Sequence, residues 1–265
     1  MLPIAGFTRK FVGGLMRLPR IYQPVPLAIG QIIELDAQAT VHLTKVLRLK
    51  IGDALRIFNG ERNGEGGEFE ARVSEVGRRS ASIEIGELVE HDVESPLELI
   101  LLQGVSRGER MDYTVQKAVE LGVSQIVPMI TERTVVNLKG DRKQRRREHW
   151  QAVVNSACEQ SGRNRVPGVS QILDFQQGLA KAPDGLKLVL HHRANTAPGE
   201  NIAPRTPVTL LVGPEGGLSP NEIAAAEAVG FMPWRLGPRV MRTETAAVAA
   251  LSVLQWRWGD FPPTQ

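Results

Sequence analysis

Two glycine-bearing loops hold the residues whose types and spacing could do chemistry. The first runs Leu211-Val212-Gly213-Pro214-Glu215-Gly216-Gly217-Leu218-Ser219-Pro220-Asn221-Glu222, with an apolar strand, a glycine loop and a helix start in one line. Ser219 suits an N-cap, Pro220 the first helical position, and Glu222 the carboxylate of a capping box. Gly213, Gly216 and Gly217 let a ligand approach the backbone, so the segment is either a tight turn or a cradle for a nucleotide or cofactor. The second loop, from Leu236 to Thr245, also stands directly before an apolar helix. Together the two loops suggest one binding site. Arg239, Arg242 and Glu244 form either a solvated helix start or a set that orients a substrate.

The common nucleotide fingerprints are excluded. There is no G-x-x-x-x-G-K-[ST], and Gly64-Glu65-Gly66 has Phe69 where a third glycine would stand. Gly104-Val105-Ser106-Arg107-Gly108 matches the hydrolase nucleophile elbow, which keeps a serine esterase open as an alternative. A triad would draw on Asp141 or Asp174 and on His191 or His192, but no histidine follows His192 and no HGGG-like segment exists. The histidines at 42, 91, 149, 191 and 192 lack metal-ligand spacing, so no metal site is expected. Arg142-Lys143-Gln144-Arg145-Arg146-Arg147 places five positive charges in six residues. With Arg17, Arg20, Lys45, Arg48 and Lys50 it reads as a solvated face or as the electrostatic footprint of an RNA binder.

The elements that must position these groups divide the chain in two. A length of 265 residues suits two modest domains. Hydrophobic residues at 42% and charged residues at 23% place it among ordinary globular proteins, and the formal charge of +3 suits a polyanionic partner without demanding one. The single cysteine, Cys158, excludes an intramolecular disulfide and any multi-cysteine zinc site; we expect a packing role for it and a reducing, cytoplasmic setting. The uncharged stretch Thr245 to Trp256 is shorter than the roughly 20 apolar residues that span a bilayer, so no membrane helix is expected. The first acidic residue is Glu34, and residues 1–16 read as an extension, with Met16 the expected initiator.

From 17 to 92, short apolar runs broken at Ile51-Gly52-Asp53, Asn59-Gly60 and a glycine cluster at Gly64, Gly66 and Gly67 predict a small, mostly β barrel. One helix is expected between Asp36 and Leu49, with Asp36 as N-cap. From 93 to 265, beginning near Ser95-Pro96, strands alternate with helices, which implies an α/β layer with a parallel sheet. Strands are predicted at Leu97 to Gln103, Gln125 to Met129, Leu186 to His191 and Val208 to Val212. Helices are predicted at Arg110 to Leu121, Gln144 to Gln160, Pro220 to Val229 and Thr245 to Trp256.

In family order, the segments RLPRIYQP from Arg17, HLTKVLRLKIGD from His42, QGVSRGERMDYTVQKAVELGVSQIVPMITERTVV from Gln103, ACEQSGRNRVP from Ala157, LLVGPEGGLSPNEI from Leu210 and LGPRVMRTETAA from Leu236 resemble the RsmE family of 16S rRNA uridine-N3 methyltransferases, in the SPOUT superfamily. The last two are the most specific. The resemblance implies a PUA-like N-terminal barrel that grips RNA and a C-terminal α/β domain with a deep trefoil knot, acting as a homodimer on 16S rRNA in the assembled small subunit. It implies S-adenosyl-L-methionine held among three loops, with Leu190 and His191, then Gly213, Glu215 and Gly217, then Leu236, Val240 and Met241 as contacts. It re-reads GVSRG as an active-site loop. Arg242 and Arg107 would stabilise a uridine anion, while Glu244 would hold an arginine or accept the proton. Arg17, Arg20, Lys45, Arg48, Arg110, Arg163 and Arg165 would meet RNA. A non-catalytic RNA-binding module remains the other class, distinguished by a lack of cofactor binding.

Overall fold

The structure is a computed structural model and describes residues 18–60, 67–194 and 207–262. The N-terminal part is a five-stranded sheet of β1 (Arg20–Tyr22), β2 (Ile32–Glu34), β3 (Ala54–Phe58), β4 (Glu68–Val76) and β5 (Ala81–Val89), in the order β1-β3-β4-β5-β2. β1 pairs with β3 in parallel and the other pairings are antiparallel. Alternation drives it: Phe69, Ala71 and Val73 of β4 and Ala81, Ile83 and Ile85 of β5 turn to one side, where they meet Ile21, Leu55 and Ile57. The Asn59-Gly60 signal falls at the end of β3, ahead of its antiparallel partner β4; Gly64 and Gly66 lie outside the described residues.

Asp36 does cap a helix, its carboxylate accepting from Ala39 N–H at 2.8 Å, but α1 covers only Ala37–Val41. The chain then widens into a π-helical turn over His42–Val46, closed by Leu47 N–H donating to His42 C=O at 2.9 Å. Arg48 follows with φ 56°, the one positive φ outside glycine among the described residues. Helical turns thus run from Ala37 to Val46 within the predicted span, and the left-handed Arg48 bars any continuation to Leu49.

The C-terminal part runs β6 (Leu99–Gly104), α2 (Glu109–Glu120), β7 (Val123–Ile130), α3 (Asp141–Ser161), β8 (Gly168–Val169), β9 (Leu173–Asp174), α4 (Phe175–Leu179), β10 (Leu186–Leu190), β11 (Val208–Val212), α5 (Pro220–Ala228), β12 (Met232–Trp234) and α6 (Thr243–Trp258). The strand order is β12-β10-β11-β6-β7-β8, with β9 also on β7, and every pairing is parallel. The apolar run of β6 reflects burial on both faces. Leu99 and Leu101 pack with Met111 and Val115 of α2, Trp150 and Val154 of α3 and Leu251 of α6. Ile100 and Leu102 face the opposite core with Phe175, Ala226 and Phe231. Sequence patterning missed β12, a three-residue edge strand whose central Pro233 is tolerable only where one side needs no ladder donor.

Two buried arginines, one of them joining the parts, have their donors committed inside the protein, which corrects their expected role in RNA binding. Arg20 pairs with Glu68 at 2.8 Å, and its other donors reach the carbonyls of Cys158 at 2.6 Å and Arg163 at 3.1 Å. It thus caps the carboxyl end of α3, where bare carbonyls and the helix dipole favour a cation. Arg163 pairs with Glu94 at 2.7 Å and donates to the carbonyls of Val119 and Val123. With their donors committed to protein inside the molecule, neither can meet a phosphate. Tyr22 N–H adds a bond to the Glu159 carboxylate, whose pKa burial raises.

Replacing Arg20 leaves Glu68 and the end of α3 without partners, so Arg20→Ala should lower stability by about 3 to 5 kcal/mol in denaturant unfolding. Cys158 lies beneath the same junction, and burial pushes its thiol up to about 12. It should resist alkylation at pH 8 in the native protein and react readily once denaturant is added; native-state labelling at the denatured rate would refute that burial.

Candidate functional site

Parallel pairing carries the outgoing loops of β6, β7, β10, β11 and β12 to the carboxyl edge of the sheet, the usual ligand-binding edge of open α/β sheets. There a cleft of about 670 Å³ opens between the segments after β10, β11 and β12. Leu190, His191, Gly213, Glu215, Gly217, Leu236, Val240 and Met241 all line it. Trp234, Leu218, Ile223 and Arg133 complete its walls.

The central loop is held from both sides. Ser219 Oγ accepts from Glu222 N–H at 3.2 Å, and Glu222 returns a carboxylate oxygen to Ser219 N–H at 2.8 Å, the predicted capping box. The other Glu222 oxygen accepts from Glu132 N–H at 2.7 Å, tying the loop after β7 to α5. Gly217 has φ 69°, the left-handed region where glycine costs least, and its N–H closes a turn onto Pro214 C=O at 2.9 Å. Gly104, at the end of β6, lies so close to this loop that an added Cβ would sit 2.6 Å from Pro214.

Glu215 links the cleft to the GVSRG loop. Its carboxylate accepts from Arg107 N–H at 2.8 Å and pairs with Arg110 at 3.2 Å. Burial would raise its pKa, but the bonds from Arg107, its own N–H and Arg110 outweigh that and hold it below the usual carboxylate range. His191 goes the opposite way for a base: burial, then the neighbouring His192, lower its pKa, so the imidazole at the cleft is neutral at pH 7.

Beneath the loops lies a buried polar bridge that sequence reasoning missed. Thr243 Oγ1 donates to Gly213 C=O at 2.6 Å, and Gln103 Nε2 donates to Thr243 Oγ1 at 3.2 Å and to Gly104 C=O at 3.0 Å. The bridge connects the ends of β6 and β11 to the start of α6. Gln103 could have been found as the one polar side chain closing the apolar run of β6. Arg133, which donates to Gly216 C=O at 3.1 Å, had no local signal.

The three residues expected to act on the substrate do not line the cleft. Arg107 and Arg242 are exposed, and neither guanidinium has a partner among the described residues. Glu244 is half-buried, with Oε2 shielded and unpartnered, and it pairs with neither arginine among the described residues. Of the expected RNA contacts, Lys45 and Arg48 are exposed on the π turn and after it, Arg110 is engaged by Glu215, Arg165 lies 3.6 Å from Asp92, and Arg17 lies outside the described residues. The esterase reading fails: Ser106 does sit between strand and helix, but it is buried and its hydroxyl meets the Gly104 carbonyl at 3.4 Å rather than a histidine. No cluster of potential metal ligands occurs among the described residues, and none of their helices is long and apolar enough to cross a membrane.

Residues 93–255 match the RNA methyltransferase domain family, and residues 35–86 match the RNA methyltransferase PUA domain family. Fold and site therefore define an RNA methyltransferase of the SPOUT class carrying a PUA-like N-terminal domain. The ribosomal RNA small subunit methyltransferase E of Buchnera aphidicola is 36% identical over 247 residues, 92% of this chain and 98% of that one. The Bacillus subtilis protein of that name is 30% identical, covering 82% of this chain and 86% of its own. A ribosomal RNA small subunit methyltransferase E from Neisseria gonorrhoeae, solved bound to S-adenosyl methionine, superimposes with TM-score 0.84 at 39% identity over 92% of this chain and all of that one. A Legionella pneumophila protein solved with the cofactor SAM bound gives 0.87 at 40% identity over 93% of this chain and 100% of that one. The chain belongs to the ribosomal RNA small subunit methyltransferase E family.

The bridge predicts a measurable cost. Thr243→Val strips Gly213 C=O of its short bond at 2.6 Å, leaving the long contact to Gln103 Nε2 at 3.5 Å, and Gln103 of an acceptor inside the protein, and should destabilise by about 1 to 3 kcal/mol in thermal or denaturant unfolding. A change within ~0.5 kcal/mol would show that the bridge is incidental.

Proposed function

We propose that this chain transfers the methyl group of S-adenosyl-L-methionine to N3 of a uridine in small-subunit ribosomal RNA, the one customarily numbered 1498, within the assembled 30S particle and as a homodimer. The observation that carries the reading is the three-loop cleft, together with the superposition on two relatives solved with that cofactor. The strand order, in which β11 runs between β10 and β6 and the chain returns to the far side of β10 as β12, supports the knotted path of this class.

The residues present fit the cofactor. A volume of about 670 Å³ lies within the usual range for small-molecule sites. Leu190, Leu218, Ile223, Trp234 and Met241 offer apolar walls, and the turn at Gly217 exposes backbone to a polar ligand. When bound, S-adenosyl-L-methionine supplies an electrophilic methyl on a sulfonium centre. The chain supplies position: the capping box and the Gln103–Thr243 bridge hold the loop after β11, and Glu215 sets the GVSRG loop against it, so that both reactants meet at one rim. Arg107 and Arg242, exposed there without partners, stabilise the uridine anion that forms as the imide proton leaves. Glu244, with its unpartnered oxygen one residue beyond the cleft-lining Thr243, accepts that proton.

The test is transfer of labelled methyl to small ribosomal subunits lacking the modification, followed by nucleoside analysis. Label should appear as 3-methyluridine and vanish in Gly217→Arg, while Glu244→Gln should lower kcat about 10²-fold or more with cofactor affinity unchanged. Label in another nucleoside would overturn the substrate; no transfer by protein that binds the cofactor would favour a binding module.

A further inference from the structure

Helix α3 has two ends with opposite electrostatic logic. Its carboxyl end is capped by Arg20, a cation where the dipole wants one. Its amino end carries Arg142, Lys143, Arg145, Arg146 and Arg147, cations where the dipole opposes them, with Asp141 the one acid in the first turn. Arg147 turns inward, donating to Val169 C=O at 2.9 Å. Arg142, Arg145 and Arg146 are exposed, and none of their guanidinium groups has a hydrogen bond or ion pair among the described residues. Nearby Glu148 accepts from Gln144 instead.

Helical spacing puts Arg142, Arg145 and Arg146 on one exposed ridge, and like charges three and four residues apart repel. This arrangement works against α3 in isolation and becomes favourable when a polyanion lies along it. Its place in the fold says which. α3 begins after the loop that leaves the carboxyl end of β7, so its amino end stands at the same edge of the sheet as the cleft. Asp112 of α2 binds both His149 at 2.9 Å and the Trp150 indole at 3.1 Å, which clamps the amino-terminal half of α3 beside the helix that carries Arg110 in its first turn. The cations of the GVSRG loop and of the first turn of α2, Arg107 exposed and Arg110 paired with Glu215, thus lead across α2 to the α3 ridge.

We infer that the outward ridge of α3, Arg142, Arg145 and Arg146, is a phosphate-backbone docking surface that holds RNA flanking the target nucleotide, separate from the PUA-like domain and from the cofactor cleft. The identity of the polyanion as RNA rests on the proposed function; the ridge itself rests on burial, pairing and placement. Such contacts read charge rather than sequence, so they set affinity and its salt dependence.

The experiment measures binding of the full chain to a small-subunit rRNA transcript across roughly 50 to 200 mM salt. Arg142→Gln/Arg145→Gln/Arg146→Gln should reduce the slope of log K against log salt by about 2 to 3 and weaken binding about tenfold or more at low salt, with S-adenosyl-L-methionine affinity unchanged as the folding control. The corresponding triple lysine variant should keep the slope. An unchanged slope in the glutamine variant would overturn the inference, as would loss of binding to anionic phospholipid vesicles with RNA binding intact. Methyl transfer is read separately: if no 3-methyluridine forms while the slope still falls, the proposed reaction fails and the ridge stands.

Discussion

Everything at the functional end of this molecule depends on the parallel pairing of its large sheet. Hydrogen-bonded parallel neighbours cannot be joined by a tight hairpin, so each strand is followed by a crossover that carries the chain back to the far edge. The outgoing loops of β6, β7, β10, β11 and β12 therefore collect at one edge, although they are spread from Gly104 to Arg242 in the sequence. The cleft is a consequence of that direction. So is the position of the basic start of α3.

Loops gathered in this way still need to be held, and the protein does so with a few buried or half-buried polar groups rather than with apolar packing. Gln103 and Thr243 bind the Gly213 carbonyl from below. Glu222 serves Ser219 and Glu132 at once. Glu215 reaches across to Arg107 and Arg110. Each group spans two or more segments, so a shape that glycine-rich backbone would not keep alone is set by side chains from elsewhere in the fold.

Charge is divided between structure and function in a way that composition conceals. A formal charge of +3 includes Arg20, whose guanidinium is an interior strut between the small sheet and the end of α3, and Arg163, whose guanidinium ties Glu94 to α2 and β7. Burying them is tolerable because each meets a carboxylate and several carbonyls. Among the described residues, the exposed cations without partners include Arg142, Arg145 and Arg146 on α3, Arg107 and Arg242, and Arg48, whose left-handed backbone is itself unfavourable for a side-chain-bearing residue.

The sequence by itself determined the elements with strong local signals. The run Leu211 to Glu222 encodes strand, turn and capped helix through interactions no more than a few residues apart, and the structure reproduces it down to the capping box. Asp36 likewise announced a helix start, because a cap is a local bond. The loops that the resemblance of whole segments grouped do line one cleft. What periodicity could not supply was the widening of the helix into a π turn after Val41, and anything depending on distant partners: the edge strand β12, and Arg133 and Gln103 at the site. The clearest case is Arg20 and Arg163. Their one-dimensional context is that of surface cations, and only the tertiary structure removes them from water: the docking of the small sheet on α3, across more than a hundred residues of chain, gives Arg20 its partners, and Glu94 with the carbonyls of Val119 and Val123 gives Arg163 its own.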